Sequence, residues 1–188
     1  MFSISMHGFF VEENVRRQWF NPEGILKAIG LREGMVFADI GCGDGFFSIL
    51  AAKVVGDKGK VYAVDVNPDS VRSLREKASE IGFDNLSAKV GRAEDTVFCE
   101  GCADIVFYSI VLHDFGDPLK VLQNAKCMLK SSGVLANLDW KKEEMPFGPP
   151  VNIRFSEQKA KSLIEKSGFG TANIMDVGKY HYLVLAVA

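Results

Sequence analysis

The chain has no apolar run of the ~18 residues that would cross a bilayer, and its 188 residues carry no excess of either charge. Lys plus Arg number 22 and Asp plus Glu 24, for a net charge of −2. That balance argues against nucleic-acid binding by bulk electrostatics and leaves room only for a local basic patch. The opening MFSISMHGFFVEENVRR has no basic start and soon meets Glu12 and Glu13, so it does not read as a secretory leader and a cytoplasmic protein is expected. The three histidines, His7, His113 and His181, are scattered. Of four cysteines, only Cys99 and Cys102 form a CxxC. A four-cysteine zinc site needs a second such pair, so no metal is expected and the cysteines are expected to be free thiols of a reducing compartment.

Hydrophobic residues make up 47% and charged residues 24% of the chain, the balance of one globular domain over 1–188. Strand and helix patterns alternate from residue 36: strands over 36–41, 59–66, 86–93, 103–111 and 133–140, helices over 45–56, 68–82 and 117–130. Asn67-Pro68 and Asp117-Pro118 open two of these helices. A polar, proline-rich segment, KKEEMPFGPP (141–150), breaks the alternation. A helix over 156–169 and two strands joined by GKY follow. This order implies an α/β, doubly wound, mostly parallel seven-stranded sheet closed by a C-terminal antiparallel hairpin.

The most informative stretch is FADIGCGDGFFSI (37–49). A buried strand runs into Gly41, Gly43 and Gly45 and then into a helix. Asp39 precedes the glycines, and Asp65 ends the next strand. In an open parallel sheet, ligands bind beyond the carboxyl ends of the strands. Glycines there admit unusual backbone angles and close ligand approach, and a carboxylate such as Asp65 can accept from a ribose diol. A nucleoside ligand follows. A dinucleotide site would want G-x-G-x-x-G, but its third glycine position is Phe46. Asp39 and Asp44 suit a ligand with positive charge better than a pyrophosphate.

ADIGCGDGFFSILAA followed by VYAVDVNPDSV resembles the class I S-adenosylmethionine (SAM)-dependent methyltransferases. The likeness continues through GRAED and ADIVFYSIVLHDFGDPLKVLQNAKCMLKSSGVLANLDW to the closing hairpin. The resemblance implies a Rossmann-like methyltransferase fold with SAM as cofactor. It implies that Asp39, Gly41, Cys42, Gly43 and Gly45 receive the amino-acid end of SAM and that Asp65 holds the ribose. Val66 would pack on adenine, with Ala93 and either Glu94 or Asp95 at the adenine edge. Relatives often carry aspartate where this chain has Arg92. Ser109, with Ile110 and Val111, would line the methionine end.

His113 and Asp114 are the candidates for proton chemistry, against a reading in which His113 orients its loop and Asp114 caps the next turn. Two segments could shape an acceptor pocket. One is residues 1–30, read as a helical lid with Phe9, Phe10, Trp19 and Phe20. The other is LDWKKEEMPFGPP, with Asp139 and Trp140 at a strand's carboxyl end and a charge run that ordinarily lies in solvent. No (Asp/Asn)-Pro-Pro-(Tyr/Phe) motif follows the fourth strand, where YSIVLHDF stands, so a small-molecule acceptor is expected. A non-catalytic SAM-binding module and, further off, a nicotinamide oxidoreductase are the alternatives. The oligomeric state stays open, a homodimer included.

Overall fold

The computed structural model describes residues 13–188; Phe9 and Phe10 lie outside them. The strands are β1 (Val36–Ile40), β2 (Lys60–Asp65), β3 (Leu86–Val90), β4 (Ala103–Ser109), β5 (Leu129–Trp140), β6 (Asn173–Val177) and β7 (His181–Val187). The helices are α1 (Glu13–Trp19), α2 (Pro22–Ala28), α3 (Phe46–Val55), α4 (Pro68–Ile81), α5 (Pro118–Met128) and α6 (Glu157–Lys166). They flank one seven-stranded sheet of order β3-β2-β1-β4-β5-β7-β6. β1 to β5 pair in parallel, and β7 runs antiparallel between β5 and β6. The doubly wound α/β expectation therefore holds. Adjacent β1 and β4 form the switch point, where connections leave in opposite directions and a crevice opens at the carboxyl ends.

Local chemistry sets the helix starts. The Asn67 side chain accepts from the Asp69 and Ser70 amides, Asp117 from Lys120 and Ser156 from Lys159, each satisfying amides that have no partner within the helix. α4 stops at Gly82, which takes φ 83°. Burial on both faces of the central strands explains their continuous apolar sequence. Ala38, Ile40, Val106 and Tyr108 face one core, and Phe37, Ile105 and Phe107 face the other.

Two boundaries differ from the sequence pattern. β3 stops at Val90 rather than near residue 93, because residues Ala93–Asp95 form one 3-10 turn whose Ala93 and Glu94 carbonyls accept from buried Asn124. β5 begins at Leu129 rather than 133, since Leu129 pairs with Ala103 ahead of an irregularity in the β4 ladder.

The expectation of four free thiols fails at one place. Cys99 and Cys102 are joined as a disulfide, with Cα atoms 6.0 Å apart across a bend that contains Gly101 at φ 58°. Cys42 and Cys127 are free. No helix among the described residues is long and apolar enough to cross a membrane.

Candidate functional site

A cavity of about 680 Å³ opens at the switch point, a size usual for small-molecule sites. Its floor is the turn after β1. The three glycines there do different work. Gly41 has φ 78°, and a Cβ on it would stand 2.8 Å from Val111 Cγ1. Gly45 has φ 89°, and a Cβ there would collide with Leu74 Cδ1. Gly43 has φ 53° and faces open space, so it is the glycine whose bare backbone a ligand can approach. Gly45→Ala is therefore expected to cost about 1–3 kcal/mol of stability, from strain plus overpacking. Gly43→Ala should cost less and act mainly on ligand affinity. Urea unfolding of the two variants separates these expectations.

Asp65 braces this turn. Its Oδ2 accepts from the Gly43 amide at 2.8 Å and its Oδ1 from the Asn67 amide at 2.9 Å. A carboxylate has about four lone-pair sites, so both oxygens retain capacity toward the cavity. Asp39 lies deeper, 1% exposed. Its Oδ2 accepts from Ser48 Oγ at 2.5 Å, while buried Oδ1 has no partner among the described residues. Burial pushes the Asp39 carboxyl up to about 7, with the Ser48 bond opposing and Asp65 adding to the rise. A carboxylate so placed favours a cationic partner over an anion. Burial, with Asp39 and Asp65 nearby, also drives the Cys42 thiol far up, so Cys42 is an inert wall rather than a nucleophile.

Asp44 behaves differently from its neighbour. It accepts from Arg16 Nη2 at 2.9 Å and from Lys77 Nζ at 3.1 Å. Burial would raise its pKa, but those two cations hold it below the ordinary value. Asp44 thus clamps α1 and α4 onto the turn, and its charge is already matched. Of the two carboxylates expected to suit a cationic ligand, Asp44 is thus already paired within the protein, and only Asp39 has an oxygen without a partner among the described residues.

The other half of the cavity comes from Ser109 to Asp114 after β4 and from the segment after β5. Ile110 takes φ 61°, an uncommon angle for a β-branched residue, and lines the cavity beside Val111. The His113 side chain is 1% exposed, and its Nδ1 lies 2.8 Å from Asp139 Oδ1.

Above them the 141–150 segment folds over the cavity around one residue, Arg154. Its buried guanidinium donates to four backbone carbonyls: Pro149 at 2.7 Å, Glu143 at 3.0 Å, and Lys141 and Phe147 at 3.2 Å. Trp19 of α1 stacks on Phe147, with centroids 5.2 Å apart and planes 7° from parallel, and meets Trp140 edge-on at 5.1 Å. The first helix and the 141–150 loop therefore touch over the cavity. Neutral His181, its pKa pushed down to about 3 by burial with Arg154 and Lys141 nearby, backs Trp140 at 4.1 Å.

Residues 31–179 match the model of a methyltransferase domain family. A SAM-dependent methyltransferase from Aquifex aeolicus of known structure is 33% identical. It superposes with a TM-score of 0.85 over 94% of this chain and 98% of its own. The chain belongs to the SAM-dependent methyltransferases.

Among curated relatives, this methyltransferase is 26% identical over 163 residues to the ubiquinone/menaquinone biosynthesis C-methyltransferase UbiE of Photorhabdus laumondii. It is 27% identical over 121 residues to the demethylmenaquinone methyltransferase of Listeria monocytogenes. Those matches cover 86% and 64% of this chain. The chain spans 62% and 51% of the length of these two relatives.

The methyltransferase's cavity gathers Asp39, Gly41, Cys42, Gly43, Asp65, Ser109, His113 and Asp114. It does not gather the residues expected around adenine. Val66 is 65% exposed beside the cavity. Ala93 is buried, and its carbonyl accepts from Asn124. Glu94 Oε1 accepts from the Gly116 and Asp117 amides at 3.1 and 3.3 Å, which ties the turn before α5 to the 3-10 turn. Gly45 likewise stands outside the lining, as the N-cap of α3. Phe46, where a dinucleotide site has its third glycine, is buried edge-on against Phe47. Sequence reasoning missed Arg154, which belongs to no motif, and Arg16, whose role follows only from the fold of α1.

Proposed function

We propose that this protein transfers the methyl group of SAM to a small-molecule acceptor bearing a flat ring. The observation that carries the donor half is the meeting of Asp39, Gly43 and Asp65 in one cavity. Asp39 Oδ1, buried and without a partner among the described residues, suits the ammonium of the methionine end. Gly43 leaves room for its close passage, and the spare lone pairs of Asp65 suit the ribose diol. Val66, exposed just beyond Asp65, would cover an adenine face, with Ala93 and Glu94 holding the turn at its edge. When bound, SAM supplies a methyl carbon already activated by its sulfonium, so the residues around it need only align the acceptor and exclude water.

The acceptor half rests on an aromatic wall. Trp19, Trp140 and Phe147 pack on one another and line the cavity, an apolar surface against which a ring can stack. The Photorhabdus and Listeria relatives carry names that point to menaquinone synthesis, and a quinol-type ring is a flat acceptor that such an aromatic wall suits. The α1 segment and the 141–150 loop would act as the lid over it.

Asp65→Ala is expected to weaken SAM binding by about 1–3 kcal/mol through lost charge-assisted hydrogen bonds. Calorimetry with SAM measures this, and an affinity equal to wild type would remove the ribose from Asp65. Transfer of label from methyl-labelled SAM to a small-molecule extract separates an enzyme from a binding module, which would transfer none.

A further inference from the structure

One pair of buried groups at the cavity wall is not needed to bind SAM. Asp139 lies on β5, 0% exposed at its side chain, and its Oδ1 also accepts the Trp140 amide at 2.8 Å. His113, in the turn after β4, presents Nδ1 to Asp139 Oδ1 at 2.8 Å and to Oδ2 at 3.0 Å. The ionised carboxylate is an acceptor only, so Nδ1 carries the proton and the lone pair of the neutral ring is left on Nε2. Nε2 faces Asp114 Oδ1 at 3.5 Å, too far for a good hydrogen bond. Asp114 is 60% exposed at its side chain and free to swing away. His113 and Asp114 both line the cavity, on the same strand end as Ser109. A buried carboxylate–imidazole pair is a costly way to fill a core, and such pairs gather at reactive sites.

We propose that His113, held in its tautomer by Asp139, takes the proton of a ring hydroxyl on the acceptor, so that the substrate class is a phenol, enol or quinol. This rests on the methyl-transfer reading above. Loss of the hydroxyl proton to His113 Nε2 loads electron density onto the ring oxygen and its ortho carbons. As one of these bonds to the methyl carbon, the methyl–sulfur bond breaks and its electron pair stays on sulfur. For attack through carbon, the ring C–H proton then returns to the oxygen. One proton in all is released, from His113 through Asp114 to solvent. Asp139 is a positioning residue, since it acts on the acceptor only through His113.

The charged groups facing His113 are Asp139 from β5, Asp114 from its own turn and Arg154 from beyond the 141–150 loop. Burial alone would lower the imidazole pKa. The Asp139 hydrogen bond and the charges of Asp139 and Asp114 outweigh burial and Arg154, and hold it above the ordinary histidine value. His113 is therefore a base only on the alkaline side of its raised pKa and is protonated, and idle, below it.

The test uses the full chain, labelled SAM at saturation and 1,4-dihydroxynaphthalene as the acceptor probe. The rate should rise with pH through a pKa above 6.5, and NMR titration of the His113 imidazole should give the same pKa. Asp139→Asn should move both to lower pH by about one unit or more and slow transfer. His113→Gln should lose about 100-fold or more in rate. SAM affinity by calorimetry should stay within about twofold in both variants, which also shows that they fold. An imidazole titration that Asp139→Asn does not move, or a wild-type rate in His113→Gln, overturns the proposal. Wild-type protein that binds SAM but transfers nothing to the probe overturns the substrate class. Wild-type protein that does not bind SAM overturns the donor reading instead.

Discussion

Asp39→Asn should make the protein more stable at pH 8 while weakening its grip on SAM. The two effects share one cause. Asp39 ionises near pH 3.8 when exposed, and burial raises this to about 7 when folded. Between those values the folded chain holds a proton that the unfolded chain has released. Stability therefore falls as pH rises through the window from about 4 to about 7. Above it the ionised carboxylate costs about 4 kcal/mol, the free-energy equivalent of that shift. Asparagine keeps an oxygen for Ser48 and never ionises, but its buried amide gives part of the gain back. The expected net gain at pH 8 is about 1–3 kcal/mol, and the fall in stability between pH 4 and 7 should flatten. Urea unfolding at pH 5 and pH 8 measures both.

Binding should change the other way. The ammonium of SAM would lose a charge-assisted hydrogen bond worth about 1.5–3 kcal/mol, which is roughly a 10- to 150-fold loss of affinity. In the wild type, cation binding pulls the Asp39 proton off, so affinity should be full above about pH 7 and should decline below it by up to about tenfold per unit. The variant should lack that decline. Calorimetry from pH 5.5 to 8.5 reads it, and an unaltered affinity in Asp39→Asn would place the ammonium elsewhere. At saturating SAM this titration drops out of the rate, which keeps it distinct from that of His113.

The meeting of the β1-turn residues with Asp65 at one cavity could be read from sequence because it is made locally. Gly41, Gly43 and Asp39 lie within five residues, and Asp65 ends the very next strand. Strand alternation alone brings them together at the crevice. What could not be read depends on side chains meeting across the fold. The His113–Asp139 pair spans 26 positions and requires β4 and β5 to be neighbours in register. Asp44 looked like a second ligand carboxylate until α1 and α4 brought Arg16 and Lys77 to it. The Cys99–Cys102 pair has a spacing shared by free thiols and disulfides, so the sequence alone does not tell them apart. For Val66 and Glu94, the sequence assigned a place near adenine, and the fold adds that Glu94 is already engaged in holding the turn before α5.

Arg154→Ala should unlock the 141–150 loop. One guanidinium serves four carbonyls in a segment that has no regular structure of its own. Removing it leaves the carbonyls of Lys141, Glu143, Phe147 and Pro149 without their donor, and replacing those bonds with water loosens the loop from the cavity. The cost should be about 2–4 kcal/mol, from backbone carbonyls left without their donor, or a fall in Tm of roughly 4–16 °C for a chain of this size. Arg154→Lys keeps the charge but offers a single point with three donors in place of a planar fork of five, so it should recover only part of the loss. The chain has two tryptophans, and both pack on Phe147, so intrinsic fluorescence reports this loop directly. Emission should shift to the red in Arg154→Ala, amide exchange should quicken over 141–150, and the KM for the acceptor should rise by a larger factor than the Kd for SAM. Unchanged emission and Tm would mean that the loop is held by its aromatic contacts alone. A loop that opens without raising the acceptor KM would mean that it covers the cavity but does not shape it.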